Sequence, residues 1–526
     1  MIGLPVLPYA DGIRKSTQVN FGGYNHTAAA KDGQIWDMRN MTSDDAPLLS
    51  SRKKRYKVRQ LSRPNGLYAH DGLYWIDGTE FYADGIRKGT VTDGKKQMVS
   101  LGAYVVIFPD KAYYNTVTGA FGNLEARWQG TVRIEDGTFA GVSAKANTIY
   151  AAGVNWNTFF KVGDAVEIAG AVQHTANNKT AVIREIAGER LRFYENVFQI
   201  AGGGENETLT ISRKVPDMDY LCENENRLWG CKGDTIYASK LGDIFNWNVF
   251  DGVATDSYAV TVGSAGDFTG CARFLGYPCF FKEDLIYKVY GSKPSNFQVM
   301  GSASLGIMAG SSRSVAIAAE KMFYLSRAGV AVYSGGIPQE IAGAFGDVHY
   351  KNGVGGSDGR KYYISMKEGN AAALFVYDPA KNVWHREDEA AVISFAYHKG
   401  LYFLESGGGL FFVGGTGDVP LGAIPEEEIA SMVEFGDFEE GAPNKKGTSK
   451  LHMRMELAAG TSLTVFIQFD SDGVWHKVRE CLAERKRSFY LPIIPRRSDH
   501  YKIKMEASGE WKLHLLAKEN YIGSEL

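Results

Sequence analysis

Residues 227–242 read RLWGCKGDTIYASKLG: a short apolar strand, a turn at Gly233-Asp234, then a second strand that closes on an aromatic before another glycine. Six other stretches share this plan: LYWIDGTEFYADG (73–85), VVIFPDKAYYNTVTG (105–119), CFFKEDLIYKVYG (279–291), MFYLSRAGVAVYSGG (322–336), KYYISMKEGNAAALFVYDP (361–379) and LYFLESGGGLFFVGG (401–415). The closing aromatics are Tyr82, Tyr114, Tyr237, Tyr287, Tyr333, Tyr377 and Phe412, separated by 32, 123, 50, 46, 44 and 35 residues. Apart from the longest gap, these spacings bracket the roughly 40–50-residue repeat of a four-stranded propeller blade. A small twisted sheet cannot bury both faces alone, so such units stack on one another, and glycine supplies the positive φ of the tight turns between short strands. The pattern predicts an all-β chain, a β-propeller of about seven blades. Its competitor is an irregular series of antiparallel hairpins in two or three sandwiches.

The gap of 123 residues exceeds a blade by enough for a small domain. Within 128–213, VGDAVEI, TAVIREI and RLRFYENVF alternate like strands parted by turns, which predicts an inserted small β-barrel of SH3-like or OB-like kind. The rhythm stops after 415. A charged stretch at 419–447 reads as a linker, and 448–526, with LHMRMEL, SLTVFIQFD, RSFYLPIIP, HYKIKMEA and WKLHLLAKE, as a C-terminal β-sandwich. The propeller then occupies 61–127 and 214–418, and residues 1–60 read as an extended arm or a strand lent to the propeller.

Composition narrows the classes. With 61 Gly, 15 Pro, 28 Tyr and 28 Phe in 526 residues, the chain is too aromatic for disorder and lacks a collagen period. Lys and Arg number 58 against 60 Asp and Glu, so no global basic field draws it to nucleic acid. The five cysteines, at 222, 231, 271, 279 and 481, contain no C-x-x-C pair and read as reduced core thiols rather than a zinc site or disulfide framework. No apolar run of signal or spanning length occurs, so the expectation is synthesis in the cytosol and no membrane span.

Signatures of catalysis are absent. H-E-x-x-H, G-x-S-x-G, Walker-A and dinucleotide glycine patterns do not occur, and no catalytic, cofactor-binding or metal residue is assigned; no cofactor is expected. His349 and His385 are the histidines considered as a meeting pair, and Asp470, Asp472 and Gly473 resemble a calcium loop but read better as a hairpin turn. A propeller glycosidase needs paired carboxylates; Asp77, Asp234 and Asp284 sit in blade turns, where turn geometry already explains an acid. In the insertion, Arg184, Arg190, Arg192, Phe193 and Tyr194 fit packing better than a nucleic-acid strip. Two basic runs, Arg52-Lys53-Lys54-Arg55 with Lys57 and Arg59, and Arg485-Lys486-Arg487 with Arg496-Arg497, read as solvated loops, with docking to an acidic partner or a DNA backbone as the alternative.

Three segments carry a family resemblance. DYLCENENRLWGCKGDTIYASKLGDIFNWNVF (219–250), WDMRNMTSDDAPLLSSRKKR (36–55) and LPIIPRRSDHYKIKMEASGEWKLHLLAKENYIGSE (491–525) resemble the propeller-type tail nozzle, or tail tubular, proteins of short-tailed bacteriophages. The resemblance implies a non-enzymatic virion component: a homo-oligomeric ring, hexameric like the nozzle, that contacts portal or adaptor and fibre or tip proteins and conducts double-stranded DNA during ejection. A near-neutral wall suits such a conduit, because a strongly basic one would hold the phosphates. The alternatives are a propeller glycan hydrolase and a receptor-binding module at the tail tip.

Overall fold

The computed structural model describes residues 12–28, 30, 33–139, 141–194, 197–200, 206–415, 417–440, 445–482, 487–494 and 496–522. The fold is an all-β propeller with an inserted small β-barrel and a β-sandwich; among the described residues only short 3₁₀ turns are helical. The chain divides into two compact units, one of residues 65–312 and one of 1–64 with 313–526.

The 65–312 unit holds four blades, each an antiparallel four-stranded sheet in chain order: blade 1 (64–90), blade 2 (97–123), blade 3 (220–261) and blade 4 (270–303). The other unit holds blade 5 (316–340), blade 6 (351–386) and blade 7 (392–415). Every repeat quoted above forms the second and third strands of its blade, for example Trp229↔Ala238 in blade 3, Phe280↔Tyr287 in blade 4 and Tyr362↔Tyr377 in blade 6. The second strand is the most apolar because both of its faces are covered, as in MFYLS at 322–326, which is buried throughout. The turn glycines earn their place by conformation: Gly78 and Gly233 sit at φ +59° and +56°.

The insertion is one seven-stranded antiparallel sheet running from Lys179–Val182 through Ala165–Ala169, Asn206–Arg213, Ala126–Phe139, Val142–Tyr150 and Arg190–Arg192 to Glu185–Ala187. It encloses its own core, in which Val132, Ile149, Trp156, Phe160, Ile168 and Phe193 are buried.

The N-terminal 60 residues do more than form an arm. Tyr56–Gln60 pairs with Gly409–Gly415 as the fourth strand of blade 7, with Phe412 opposite Tyr56. Upstream strands belong to the sandwich: Gly12–Gln18 and Leu49–Ser51 pair with Trp511–Ile522, and Ile35–Arg39 pairs with Ala430–Phe435. The sandwich therefore does not begin at 448. Nor is 419–447 a plain linker: Ala430–Phe435 joins Ile35–Arg39 to Tyr501–Ser508 in one of the two sheets. Alternation in ASMVEF, with Ser431, Val433 and Phe435 buried, makes it a strand, a pattern hidden by the acidic residues on either side. Residues 441–444 of that stretch lie outside the described residues.

Candidate functional site

The resemblance segment in blade 3 leaves its third strand, Thr235–Ala238, and folds into a polar knot around Asn246. Asp243 starts the knot, since its carboxylate accepts from the Phe245 backbone N–H at 2.8 Å and from Asn246 Nδ2 at 2.7 Å. Asn246 then reaches the inserted barrel. Its Oδ1 accepts from the Ala165 N–H at 2.9 Å, and its Nδ2 donates to Asp164 at 3.1 Å. Asp164 is also paired with Arg213, whose Nε donates to the Leu124 carbonyl at 3.0 Å. Arg213 and Asp164 side chains are only 8% and 4% exposed, so the pair is held out of water. Phe245 caps it: the Arg213 guanidinium lies 5.0 Å and the Lys161 ammonium 5.3 Å from its ring, and Tyr104 and Tyr113 of blade 2 meet the same ring edge-on. The DIFNW run is thus the seat on which the barrel is fixed to blades 2 and 3.

Arg52 and Arg55 of the first basic run are buried in the other unit, against the reading of that run as a solvated loop. Arg52 forks onto Glu426 at 2.6 and 3.1 Å and donates to Asn40 at 2.8 Å. Arg55 pairs with Glu387 and, at 2.6 Å, with Asp388, and its guanidinium lies 5.0 Å from the Phe403 ring. Neither arginine offers its charge to solvent. Burial opposes ionisation of Asp388 and Glu426, yet Arg55 and Arg52 hold both below the usual carboxylate range. Glu405, in the hairpin of blade 7, goes the other way, pushed up by burial and by the Asp388 charge. Lys53, at 52–55, and Arg59 remain exposed. Of the second run, Arg485 and Lys486 lie outside the described residues, Arg487 and Arg497 are exposed, and Arg496 pairs with Asp472 at 3.1 Å.

The acids weighed for hydrolysis are spread over separate blades: Asp77 in blade 1, Asp234 in blade 3 and Asp284 in blade 4. Their hairpins serve as seats for returning backbone, since the Val262 and Ser304 N–H groups donate to the carbonyls of Asp234 and Asp284. A fourth hairpin acid, Asp110 in blade 2, forms a buried pair with Lys96. In the insertion, Arg184 pairs with Asp251, Arg190 with Glu135 and Arg192 with Glu185, while Phe193 is fully buried against Phe198; only Tyr194 is open. Those arginines are committed to ion pairs within the unit.

His349 and His385 do not form a site. His349 is exposed, whereas His385 is buried on Val383–Arg386, and burial with the nearby Lys361 charge pushes its pKa down to about 3. Asp470, Asp499 and His500 offer ligand atoms within 4.8 Å of one another. Both ring nitrogens of His500 are already engaged, with Ser471 at 2.9 Å and Asp499 at 2.5 Å, so the group closes a turn: Asp470 and Gly473 there sit at φ +48° and +79°. A cleft of about 580 Å³ opens beside the sandwich strands, lined by Thr42, Asp44, Asp45, Lys53, Glu456, Glu510 and Trp511 among others. Three of its four carboxylates are paired, Asp44 with Lys361, Asp45 with Lys512 and Glu456 with His514.

Sequence reasoning missed Asp164, Arg213 and the buried role of Arg52 and Arg55, because partners up to about 370 residues apart leave no local signature.

No family model matches the chain, and no curated protein does. Solved structures that it is similar to include an exo-beta-1,3-galactanase from Phanerochaete chrysosporium, at 9% identity over 57% of this chain and 94% of that one with TM-score 0.21. A putative exported protein from Bacteroides fragilis follows at 9% identity, covering 52% and 83% with TM-score 0.23. A glycoside hydrolase family 43 arabinoxylan arabinofuranohydrolase from Bacillus subtilis is 8% identical, covering 87% and 95% with TM-score 0.15. Likeness of this size says nothing about what the chain acts on.

Proposed function

We propose that the protein is a structural, non-catalytic component of a bacteriophage tail, a nozzle- or neck-like ring subunit that passes double-stranded DNA and joins other tail proteins. One observation carries the reading: two of the three segments that resemble tail nozzle proteins hold modules together, and the third pairs with one of them inside the sandwich. The DIFNW run seats the barrel through Asn246. The segments 36–55 and 491–525, at opposite ends of the chain, meet as neighbouring strands with Leu49 opposite Leu513, and Arg52 and Arg55 of the former bind Glu426, Glu387 and Asp388. Arg52, Arg55, Asn246 and Asp164 are engaged in holding domains in place, a role that suits a subunit of a ring. The test is negative-stain microscopy of the purified protein with and without portal-adaptor complex, together with antibody labelling of particles. Rings with a central opening and label on the tail are expected. A protein that stays monomeric and is absent from particles would refute the proposal.

A second reading, glycan hydrolysis, is favoured by one observation. Glu405 ends the second strand of blade 7 opposite Val392, four residues past Asp388; burial and the Asp388 charge push Glu405 up while Arg55 and Arg52 hold Asp388 down, the divergence that a glycosidase acid and its partner carboxylate need. Release of reducing sugar from host polysaccharide, lost in Glu405→Gln, would establish it; turnover absent from wild type removes it.

A further inference from the structure

The cleft beside the sandwich lies where the segments 36–55 and 491–525 meet. Leu49–Ser51, Trp511–Ile522 and Lys446–Leu457 are neighbouring strands of one sheet, and their register sets Ser50, Lys512 and Glu456 in a row. Residues paired across strands share a face, so Lys512 and Glu456 line the cleft side by side. Ser50, on the same face, is buried with its hydroxyl unpartnered among the described residues. The turn at 44–47 adds two acids: Asp45 accepts from Lys512 Nζ at 2.7 Å and Asp44 from Lys361 Nζ at 2.7 Å, while Glu456 meets His514 at 3.0 Å. These pairs are open to solvent. The Asp44, Asp45 and Glu456 side chains remain 50%, 31% and 43% exposed, and a carboxylate has about four acceptor sites, more than one cation occupies. Glu510 and Lys53, also on the lining, are exposed and have no ion-pair partner among the described residues.

This lining selects among ligand classes. Its four carboxylates repel a phosphate, and Lys53, Lys512 and the nearby Lys361 oppose a polycation. An apolar ligand would desolvate the charges and find little surface in return, since Leu457 and Trp511 are each only 2% exposed. A hydroxyl donates and accepts at once, so neighbouring hydroxyls match acceptors that each stand one hydrogen bond from a donor. At about 580 Å³ the cleft has the size of a small-molecule site. We propose that it is a binding site for a neutral glycan, whose hydroxyls donate to Asp45, Glu456 and Glu510 and accept from Lys512 and Lys53. It binds without turnover, and it is independent of the ring assembly and of the Glu405 reading.

The full-length protein is titrated calorimetrically with maltotriose, cellotriose and chitotriose, and with inorganic phosphate and tetralysine as the opposed classes. Saturable binding of at least one trisaccharide is expected, weakened about tenfold or more in the double variant Lys53→Met with Glu510→Gln, which removes charge-assisted hydrogen bonds from two exposed side chains. Hydrogen exchange of the wild-type protein, which depends on no variant's folding, is expected to slow in peptides covering 42–53 and 510–514 when that trisaccharide is added. Absence of trisaccharide binding, an affinity that the double variant leaves within tenfold of wild type, slowed exchange only outside those peptides, or binding of phosphate or tetralysine in place of the sugars overturns the proposal.

Discussion

Replacing Asp164 by Ala tests whether the DIFNW run is a seat or merely a loop. The substitution strips Arg213 of its carboxylate while leaving the guanidinium buried, and it unseats the Asn246 amide and the Lys161 N–H that also donate to Asp164. Breaking one side of a buried ion pair costs about 3–5 kcal/mol, because the remaining charge stays desolvated without a partner. A multi-domain chain does not unfold in one step, so the cost is read locally, by native-state hydrogen exchange of peptides covering the Ala165 amide and the 240–250 run. At about 1.4 kcal/mol per tenfold, exchange there accelerates by two to more than three decades, while peptides of blade 4 at 277–281 keep their protection. The double variant Asp164→Ala with Arg213→Met removes both charges and recovers about 2 kcal/mol or more of the loss. Acceleration below tenfold, a double variant no better than the single, or equal loss of protection in blade 4 refutes the reasoning.

Three other outcomes are expected. Gly306→Ala places a Cβ 1.8 Å from the Lys282 carbonyl oxygen, a backbone atom that cannot turn aside, and lowers local stability by about 1–3 kcal/mol in hydrogen exchange of peptides covering 282–306; unchanged exchange there contradicts it. Lys96→Met leaves Asp110 without its buried ammonium and costs about 3–5 kcal/mol, whereas adding Asp110→Asn restores part of it, as read by hydrogen exchange of the blade 2 peptides. His385 has a folded pKa of about 3 against an ordinary 6.5, so above pH 6.5 it is neutral whether folded or not and adds no slope. As pH falls from 6.5 toward 3 the unfolded chain takes up a proton that the folded one refuses, and stability declines by about 1.4 kcal/mol per unit from this group. His385→Leu flattens the stability–pH curve of denaturant unfolding in that window by this amount; parallel curves for the two proteins exclude the assignment.

Legibility from sequence followed the range of the interactions. The paired aromatic strands are local, since a blade's second and third strands are joined by a turn of a few residues, and Gly78 and Gly233 at positive φ mark those turns in the chain itself. The strand Ala430–Phe435 was less legible although it alternates, because its partners Ile35–Arg39 and Tyr501–Ser508 are far away and its flanks are acidic. Arg52 and Arg55 show the limit most clearly. A run of four cations reads as a wet surface, and only the arrival of Glu387, Asp388 and Glu426 turns two of them inward while Lys53 stays outside.

The sequence by itself determined an all-β propeller with one inserted module and a terminal sandwich, since strand period, turn glycines and repeat spacing are written at short range. The tertiary structure alone decided which residues join those modules. Tyr56–Gln60 closes blade 7, Asn246 and Asp164 seat the barrel, and Leu49 comes to lie opposite Leu513. The physical reason is common to all three: a hydrogen bond, an ion pair or a strand pairing depends on which surfaces packing brings together, and packing joins segments that sequence distance keeps apart.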